Sequence, residues 1–390
     1  MNAQSGPIPV RTLAFLGAAC FASMASLRAA DPILPEIAEA FSTTPGDAAR
    51  IVAVFGACYA VMQFIYGFAG DRYGHLRVIV ITTILSGLST LLCAVATSLN
   101  MLMLGRILVG LTAAAIIPLS FAWLADVVPY ERRQAVLAYF LSGQLSGLIL
   151  GQVFSGVIAE HFNWRVVFVL LASFFLVAGA ALLFEMRRHE SVARPLEGSP
   201  LGRVVTLVRR PWVQIVLVSV LLDGLLFFGA FTFVGSFLWA RFGIGLDLAG
   251  LIVAGFGVGA MMYSMTAGRM LPYLGEGGLA LGGGIVIALA FLLLAFAPAV
   301  WFALPATILA GFGYYMLHNT LQTNATQMAP QSRGLAISTF ASCLFLGQAI
   351  GVAVAAPVFD YTGGQPIFLA AGVLLLILGA AFRSLLAYRG

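Results

Sequence analysis

The sequence predicts an all-α integral membrane protein of twelve transmembrane helices arranged as two pseudo-symmetric six-helix bundles. Three observations carry that prediction: composition, the length of the apolar runs, and a repeat near 200 residues. Of 390 residues, 61% are hydrophobic and 9% are charged, and mean hydropathy is +1.01. A soluble domain carries roughly 25% charged residues. Most of this apolar surface must therefore face lipid.

The apolar stretches run approximately over 12–33, 48–69, 78–98, 102–124, 136–159, 165–184, 212–239, 248–268, 279–298, 300–324, 335–357 and 366–387. Each is near the ~20 residues a helix needs to cross the hydrocarbon core. Barrel strands are shorter and alternate polar with apolar residues, so continuous runs mean helices. The run after Arg11 superficially resembles a signal peptide, but it is longer than an h-region and many spans follow, so a retained first helix is expected. The polar segment from Glu185 to Arg210 contains Pro195, Gly198 and Pro200 and divides the spans six and six. The expected organisation is an N-terminal bundle over 1–184, a cytoplasmic linker over 185–211 and a C-terminal bundle over 212–390.

The net charge of +5 comes from arginine, since the chain contains no lysine. With the N-terminus inside, fifteen of the arginines fall at cytoplasmic ends and loops. That asymmetry predicts both termini in the cytoplasm of a multi-pass membrane protein. Glu36, Glu39, Asp47, Glu160, Asp247 and Asp360 fall in outer loops. Arginines scattered between apolar segments fit a bilayer and exclude nucleic acid as a partner. Cys20, Cys58, Cys93 and Cys343 lie singly inside apolar runs, so they read as packing residues; no metal site and no cofactor is expected.

The halves resemble one another. Gly110, Pro129, Arg132 and Ala135 recur as Gly311, Pro330, Arg333 and Ala336, 201 residues on. Gly147-x-x-x-Gly151 recurs as Gly347-x-x-x-Gly351, 200 residues on, and Phe168 as Phe368. Parallel repeats of this kind enclose a cleft near the bilayer midplane.

Charges inside spans mark functional candidates. Asp223 sits near the middle of the seventh apolar run, where an ionised acid costs ~2.5–3.5 kcal/mol on insertion scales. Such residues line ion, proton or substrate pathways. Arg28 and Asp31 are three residues apart on one face of the first helix. Tyr59, Gln63 and Tyr66 share a face of the second helix by i, i+4, i+7 spacing. Gln144, Tyr263, Tyr314, Tyr315, Asn319 and Gln348 add polar groups on the fifth, eighth, tenth and eleventh helices. Histidine is the side chain whose ordinary titration falls near neutral pH, and His318, inside the tenth span, is the histidine best suited to carry a proton.

Gly67-Phe-Ala-Gly70-Asp71-Arg72-Tyr73-Gly74-His75-Leu76-Arg77 resembles the signature loop of the major facilitator superfamily. Arg106-Ile-Leu-Val-Gly110 is similar to that family's fourth-helix motif, and Asp126-Val-Val-Pro129-Tyr-Glu131-Arg132-Arg133 to the following loop. In the second half only Gly268-Arg269 remains of the signature. Arg28-Ala-Ala-Asp31-Pro32-Ile-Leu34-Pro35 resembles the end of the first helix in drug:proton antiporters, some of which carry an acid where this chain has Arg28. The antiporter Gly-Pro of the fifth helix is incomplete, since Leu148 follows Gly147.

The resemblance implies the major facilitator fold, alternating access, and protons as coupling ion. It implies a cytoplasmic gate of Gly67, Gly70, Asp71, Arg72, Gly74 and Arg77, with Arg333 as partner of Asp71. It assigns proton coupling to Arg106, and Asp223, Asp31 and His318 join it as candidates. Two pairings of Arg28 are open: a local ion pair with Asp31 on its own helix face, or, because the first and seventh helices face each other across the cleft in this family, a pair with Asp223. The predicted function is proton-coupled efflux of a small amphiphilic or drug-like molecule by a monomer. Transport of an organic anion on Arg28 is the alternative. A membrane-embedded enzyme or a non-transporting receptor is a remote one: there is no Gly-x-Ser-x-Gly elbow, no paired histidine and no nucleotide loop.

Overall fold

The computed structural model describes residues 10–128, 130–186, 206–328 and 333–388. Among these there is no strand, and eleven helices are long and apolar enough to cross a membrane. One of them, Leu246–Ala295, has 50 residues. At 1.5 Å per residue it would reach ~75 Å against a hydrocarbon core of ~30 Å. It is broken at Gly275, which has φ 63° and ψ 176°, an angle open mainly to glycine. The break makes two spans and brings the crossings to twelve.

The helices are α1 (Val10–Ala40), α2 (Arg50–Tyr73), α3 (His75–Ala94), α4 (Leu99–Val127), α5 (Tyr130–His161), α6 (Trp164–Met186), α7 (Pro211–Phe242), α8 (246–274), α9 (276–295), α10 (Ala303–Gln327), α11 (Arg333–Thr362) and α12 (Gly364–Leu385). Twelve alternating crossings put Val10, where α1 begins, and Leu385, where α12 ends, on one face, the terminal face; the other is the far face. Most of the predicted linker lies outside the described residues. Glu185, assigned to it, is instead the penultimate residue of α6, buried within bonding distance of Thr12.

The repeat seen in sequence is a repeat of contacts. A Cβ on Gly147 or Gly151 of α5 would collide with the α1 backbone at Phe21 and Ala25. One on Gly347 or Gly351 of α11 would collide with the α7 backbone at Leu221 and Leu225. Gly110 of α4 sits likewise on Phe55 of α2, and Gly311 of α10 on Phe256 of α8. Small residues let membrane helices approach to backbone contact, where dispersion and packing hold them. Gly143, from the same α5 stripe, has only the Gly17 carbonyl at 3.9 Å, and Gly156 turns to the other half, against Leu246 and Gly250.

The halves meet along three seams. Gly235 of α7 lies on Asp31 and Pro32 of α1, Gly56 of α2 on Phe345 and Ala349 of α11, and Gly156 of α5 on the start of α8. All three lie between mid-depth and the far face. Towards the terminal face α5 separates from α8 and α10, leaving a cavity of about 580 Å³.

Candidate functional site

Both helices that begin a half are broken where they reach the middle of the bundle. In α1 the α-helical part ends at Arg28 and a 3₁₀ turn, Asp31–Ile33, precedes Leu34–Ala40. Pro32 has no N–H to give the Arg28 carbonyl, and Pro35 none for that of Asp31. In α7 a π-helical turn, Gly224–Phe228, follows Asp223 directly, and helix geometry lapses again before Val234. Such irregular turns in membrane helices gather at binding sites, because they free main-chain groups and re-aim side chains.

Arg28 is 2% exposed. Its guanidinium donates to Asp31 Oδ2 at 3.2 Å and to Gln348 Oε1 of α11 at 3.1 Å, and lies 3.9 Å over the Phe228 ring. Asp223 is fully buried, and its Oδ2 is 2.9 Å from His318 Nδ1 on α10. Its other oxygen has no partner. The Tyr314 hydroxyl reaches the same Nδ1 at 3.2 Å, and the two rings stack at 12°.

Of the two pairings open to Arg28, the local one with Asp31 forms, and in place of an Arg28–Asp223 pair there are two separate pairs. Arg28 takes the acid on its own helix face and bridges the halves through Gln348; Asp223 takes a histidine within its own half. Reach does not decide the pairing, since Arg28 already crosses the seam to Gln348 and Phe228. What decides it is that Asp223 sits on the side of α7 that faces α10, where His318 is 2.9 Å away, while Asp31 lies on the face of Arg28 itself. The two pairs are joined through rings: Arg28 on Phe228, Phe228 5.1 Å from Tyr314, and Tyr314 on His318. Phe228 was not singled out in the sequence, where one phenylalanine among thirty carries no signal.

Of the predicted cavity residues, Gln144, Tyr263, Tyr315 and Asn319 line the cavity. Glu276 lines it too and is the one charged residue among its described walls; it accepts a bond from Asn324 Nδ2 at 3.0 Å. Sequence reading passed over Glu276 because it falls between two spans. His318 is nine-tenths buried, next in sequence to the lining residue Asn319 and three positions from Tyr315. Tyr59, Gln63, Tyr66, Arg28 and Gln348 are not in the wall. Tyr59 packs on Phe345 across the α2–α11 seam at 4.6 Å, Gln63 is buried, and the Tyr66 hydroxyl donates to the Leu111 carbonyl.

Arg106 is 1% exposed and serves as a clamp. It donates to the carbonyls of Ser26 and Ile51 at 3.1 and 3.4 Å and lies 4.2 Å over Phe55, tying α4 to α1 and α2.

In the signature loop, Gly74 has φ 89° and turns the chain between α2 and α3, and Gly70 lets His75 and Leu119 approach. Asp71 lies 3.3 Å from His75 Nε2, and His75 Nδ1 lies 3.1 Å from Asp126. Gly67 belongs to α2, Arg72 and Arg77 are exposed, and the side chain of Arg333 lies outside the described residues. So do Pro129, Pro330 and the side chains of Glu131 and Arg133. Cys20, Cys58, Cys93 and Cys343 are all free thiols.

The family profile of the Major Facilitator Superfamily matches residues 16–332 and, overlapping, 216–389. An uncharacterised MFS-type transporter of Bacillus subtilis, YwfA, is 26% identical over 333 residues, which cover 84% of this chain and 80% of that one. The quinolone resistance protein NorA of Staphylococcus aureus is 23% identical over 348 residues, covering 88% and 89%. Among solved structures, the nucleoside transporter NupG superposes with a TM-score of 0.81 at 14% identity, covering 96% of this chain and 99% of that one. A bacterial homologue of the human lysosomal transporter Spinster, inward-facing and unoccupied, gives 0.77 at 18%, covering 97% of each. These superpositions share the fold, and the profile spans both halves with the signature loop and the fourth-helix motif inside it. The chain belongs to the Major Facilitator Superfamily.

Proposed function

We propose that the protein is a proton-coupled exporter of neutral or cationic amphiphilic molecules, working by alternating access in a bacterial inner membrane with its terminal face towards the cytoplasm. The observation that carries this reading is the buried Asp223–His318 pair beside a cavity that holds no described arginine. The cavity wall combines aliphatic side chains with Tyr263 and Tyr315, a few amides and hydroxyls, and the carboxylate of Glu276. Such a wall suits an apolar body with a neutral or positive head. Similarity to NorA and to multidrug resistance protein 1 of Bacillus subtilis, 25% identical over 328 residues, supports export.

The chemistry follows from the pair. An Nδ1–H of His318 can donate to the Asp223 carboxylate, and a proton placed on that carboxylate neutralises it and removes the ionic hydrogen bond. Each protonation state then favours a different arrangement of α7 against α10, which is how binding at one group shifts a conformational equilibrium. His318, at the edge of the cavity, is the route between Asp223 and the aqueous side. Arg106 remains in the coupling scheme only as the residue that fixes the carbonyl end of α1, near Asp31.

Anion transport on Arg28 receives less support, because both arms of that guanidinium are already taken by Asp31 and Gln348. No oligomer is needed, since one chain holds both halves.

The test is reconstitution into liposomes with an imposed pH gradient and a panel of cationic, neutral and anionic amphiphiles. Uptake of cationic or neutral compounds into acid-loaded vesicles is expected, with Asp223→Asn giving no gradient-driven flux despite normal membrane insertion. Flux that ignores the gradient, or a preference for anions, would overturn the proposal.

A further inference from the structure

We infer that Glu160 and Asp360 form a two-part gate on the far face, each acid holding the other half of the molecule by the N-terminal end of a helix. Glu160 is the penultimate residue of α5. Its Oε2 accepts from the backbone N–H of Leu246, the first residue of α8, at 2.6 Å. Asp360 is near the end of α11. Its Oδ1 accepts from the backbone N–H of Gly46 at 2.9 Å and its Oδ2 from the Thr44 hydroxyl at 2.6 Å, where Pro45–Ala48 leads into α2. Both bonds cross between halves: N-terminal acid to C-terminal helix, and C-terminal acid to N-terminal helix.

The two acids are 200 residues apart, the offset of the glycine repeat. Their seats match as well. Gly46 and Gly245 lie 199 residues apart, and a Cβ on Gly46 would collide with the Asp360 carboxylate. A Cβ on Gly245 would stand 3.1 Å from the Glu160 carboxylate. Each acid therefore rests against bare backbone, where its charge meets unpaired N–H groups and the positive end of a helix dipole. Thr44 completes the seat on one side: its oxygen accepts from Asp47 N–H while its proton goes to Asp360.

The gate closes seams that are otherwise imperfect. Both amide atoms of Gln152, which faces α8, are buried without partners, as is Ser236 Oγ beside the α1–α7 contact. A permanent core rarely leaves such groups unpaired, whereas a seam that parts would hydrate them. The acids supply the directional bonds that hold it shut while the cavity is open at the terminal face. Replacing either acid by its amide keeps a hydrogen-bonding oxygen but removes the charge, and should raise the ratio of far-open to far-closed molecules roughly threefold to tenfold.

This assignment rests on alternating access, and its test is separable from transport. Spin labels would be placed at Phe162→Cys and Trp301→Cys, exposed far-face positions, one in each half, with the four native cysteines replaced by alanine. Pulsed electron resonance then reads the distance between the halves without any substrate. The parent should give mainly the short distance, and Glu160→Gln with Asp360→Asn should populate a longer one. Gly46→Ala keeps both acids, yet pushes Asp360 from its seat, so it should match Asp360→Asn; it decides the matter if the charge variants fail to fold. An unchanged distance distribution in these variants overturns the gate. A far face that opens as expected in a protein moving no substrate keeps the gate and removes the transport reading.

Discussion

Removing His318 should orphan Asp223, and a second substitution should undo the damage. In His318→Ala the carboxyl loses the partner at 2.9 Å, while its other oxygen already has none. Breaking one side of a buried pair costs about 3–5 kcal/mol, because a charge is left unmatched. Here the penalty has a ceiling. The orphaned acid can take a proton, and the work of protonating an ordinary aspartate is about 4 kcal/mol at pH 7 and about 1.5 kcal/mol at pH 5. Adding Asp223→Asn to His318→Ala removes the charge without changing the packing loss. The double variant should therefore be more stable than the single one by up to about 4 kcal/mol at pH 7, shrinking towards about 1.5 at pH 5. The sign follows from proton counting: the single variant folds with its acid neutral, the unfolded chain releases that proton above its ordinary range, and stability falls as pH rises. Unfolding in mixed dodecyl sulfate micelles, followed through the five tryptophans, measures both variants across pH. A double variant no more stable than the single, or a gain that does not shrink at low pH, refutes the pairing and with it the proton carrier.

Arg28→Ala should abolish transport while leaving the protein in the membrane, since Asp31 and Gln348 both lose their donor; normal flux in vesicles would contradict this. Gly147→Ala should cost about 1–3 kcal/mol by overpacking against the Phe21 backbone. Gly143→Ala, with open space around it, should be neutral or gain up to about 1 kcal/mol; equal effects in micelle unfolding would dissolve the contact assignment. Arg106→Lys should lose about 2 kcal/mol despite keeping the charge, because an ammonium cannot bond two carbonyls and lie flat on Phe55 together. The same unfolding assay checks it.

The helices and their repeat were legible because they depend on periodicity and offset. Gly147 and Gly347 stand at equivalent points in the chain and touch equivalent backbones at Phe21 and Leu221. The partner of Asp223 was not legible. Charge complementarity favours Arg28, but Arg28 had an acid one turn away, and hydrogen bonding to His318, 95 positions distant, depends on how α7 packs on α10. The two gate acids were visible only as outer-loop charges. Their common offset of 200 was present in the sequence, yet an acid and a glycine 314 positions apart, as Asp360 and Gly46 are, have no local pattern that joins them.

Two separate pairs in place of one Arg28–Asp223 pair also change how the halves can be coupled. If Arg28 and Asp223 were bonded directly, replacing both would cost much less than the sum of the single effects. With Phe228 and Tyr314 between them, the direct term is small and the rings carry what coupling there is. Phe228 lies within the π-turn that follows Asp223, so a change in Asp223 that reseats the turn moves the surface on which Arg28 rests. Arg28 then passes the change to α11 through Gln348. Phe228→Leu should therefore keep both polar pairs and the fold yet weaken the dependence of transport on the proton gradient. A variant with wild-type coupling would mean that the two pairs act independently.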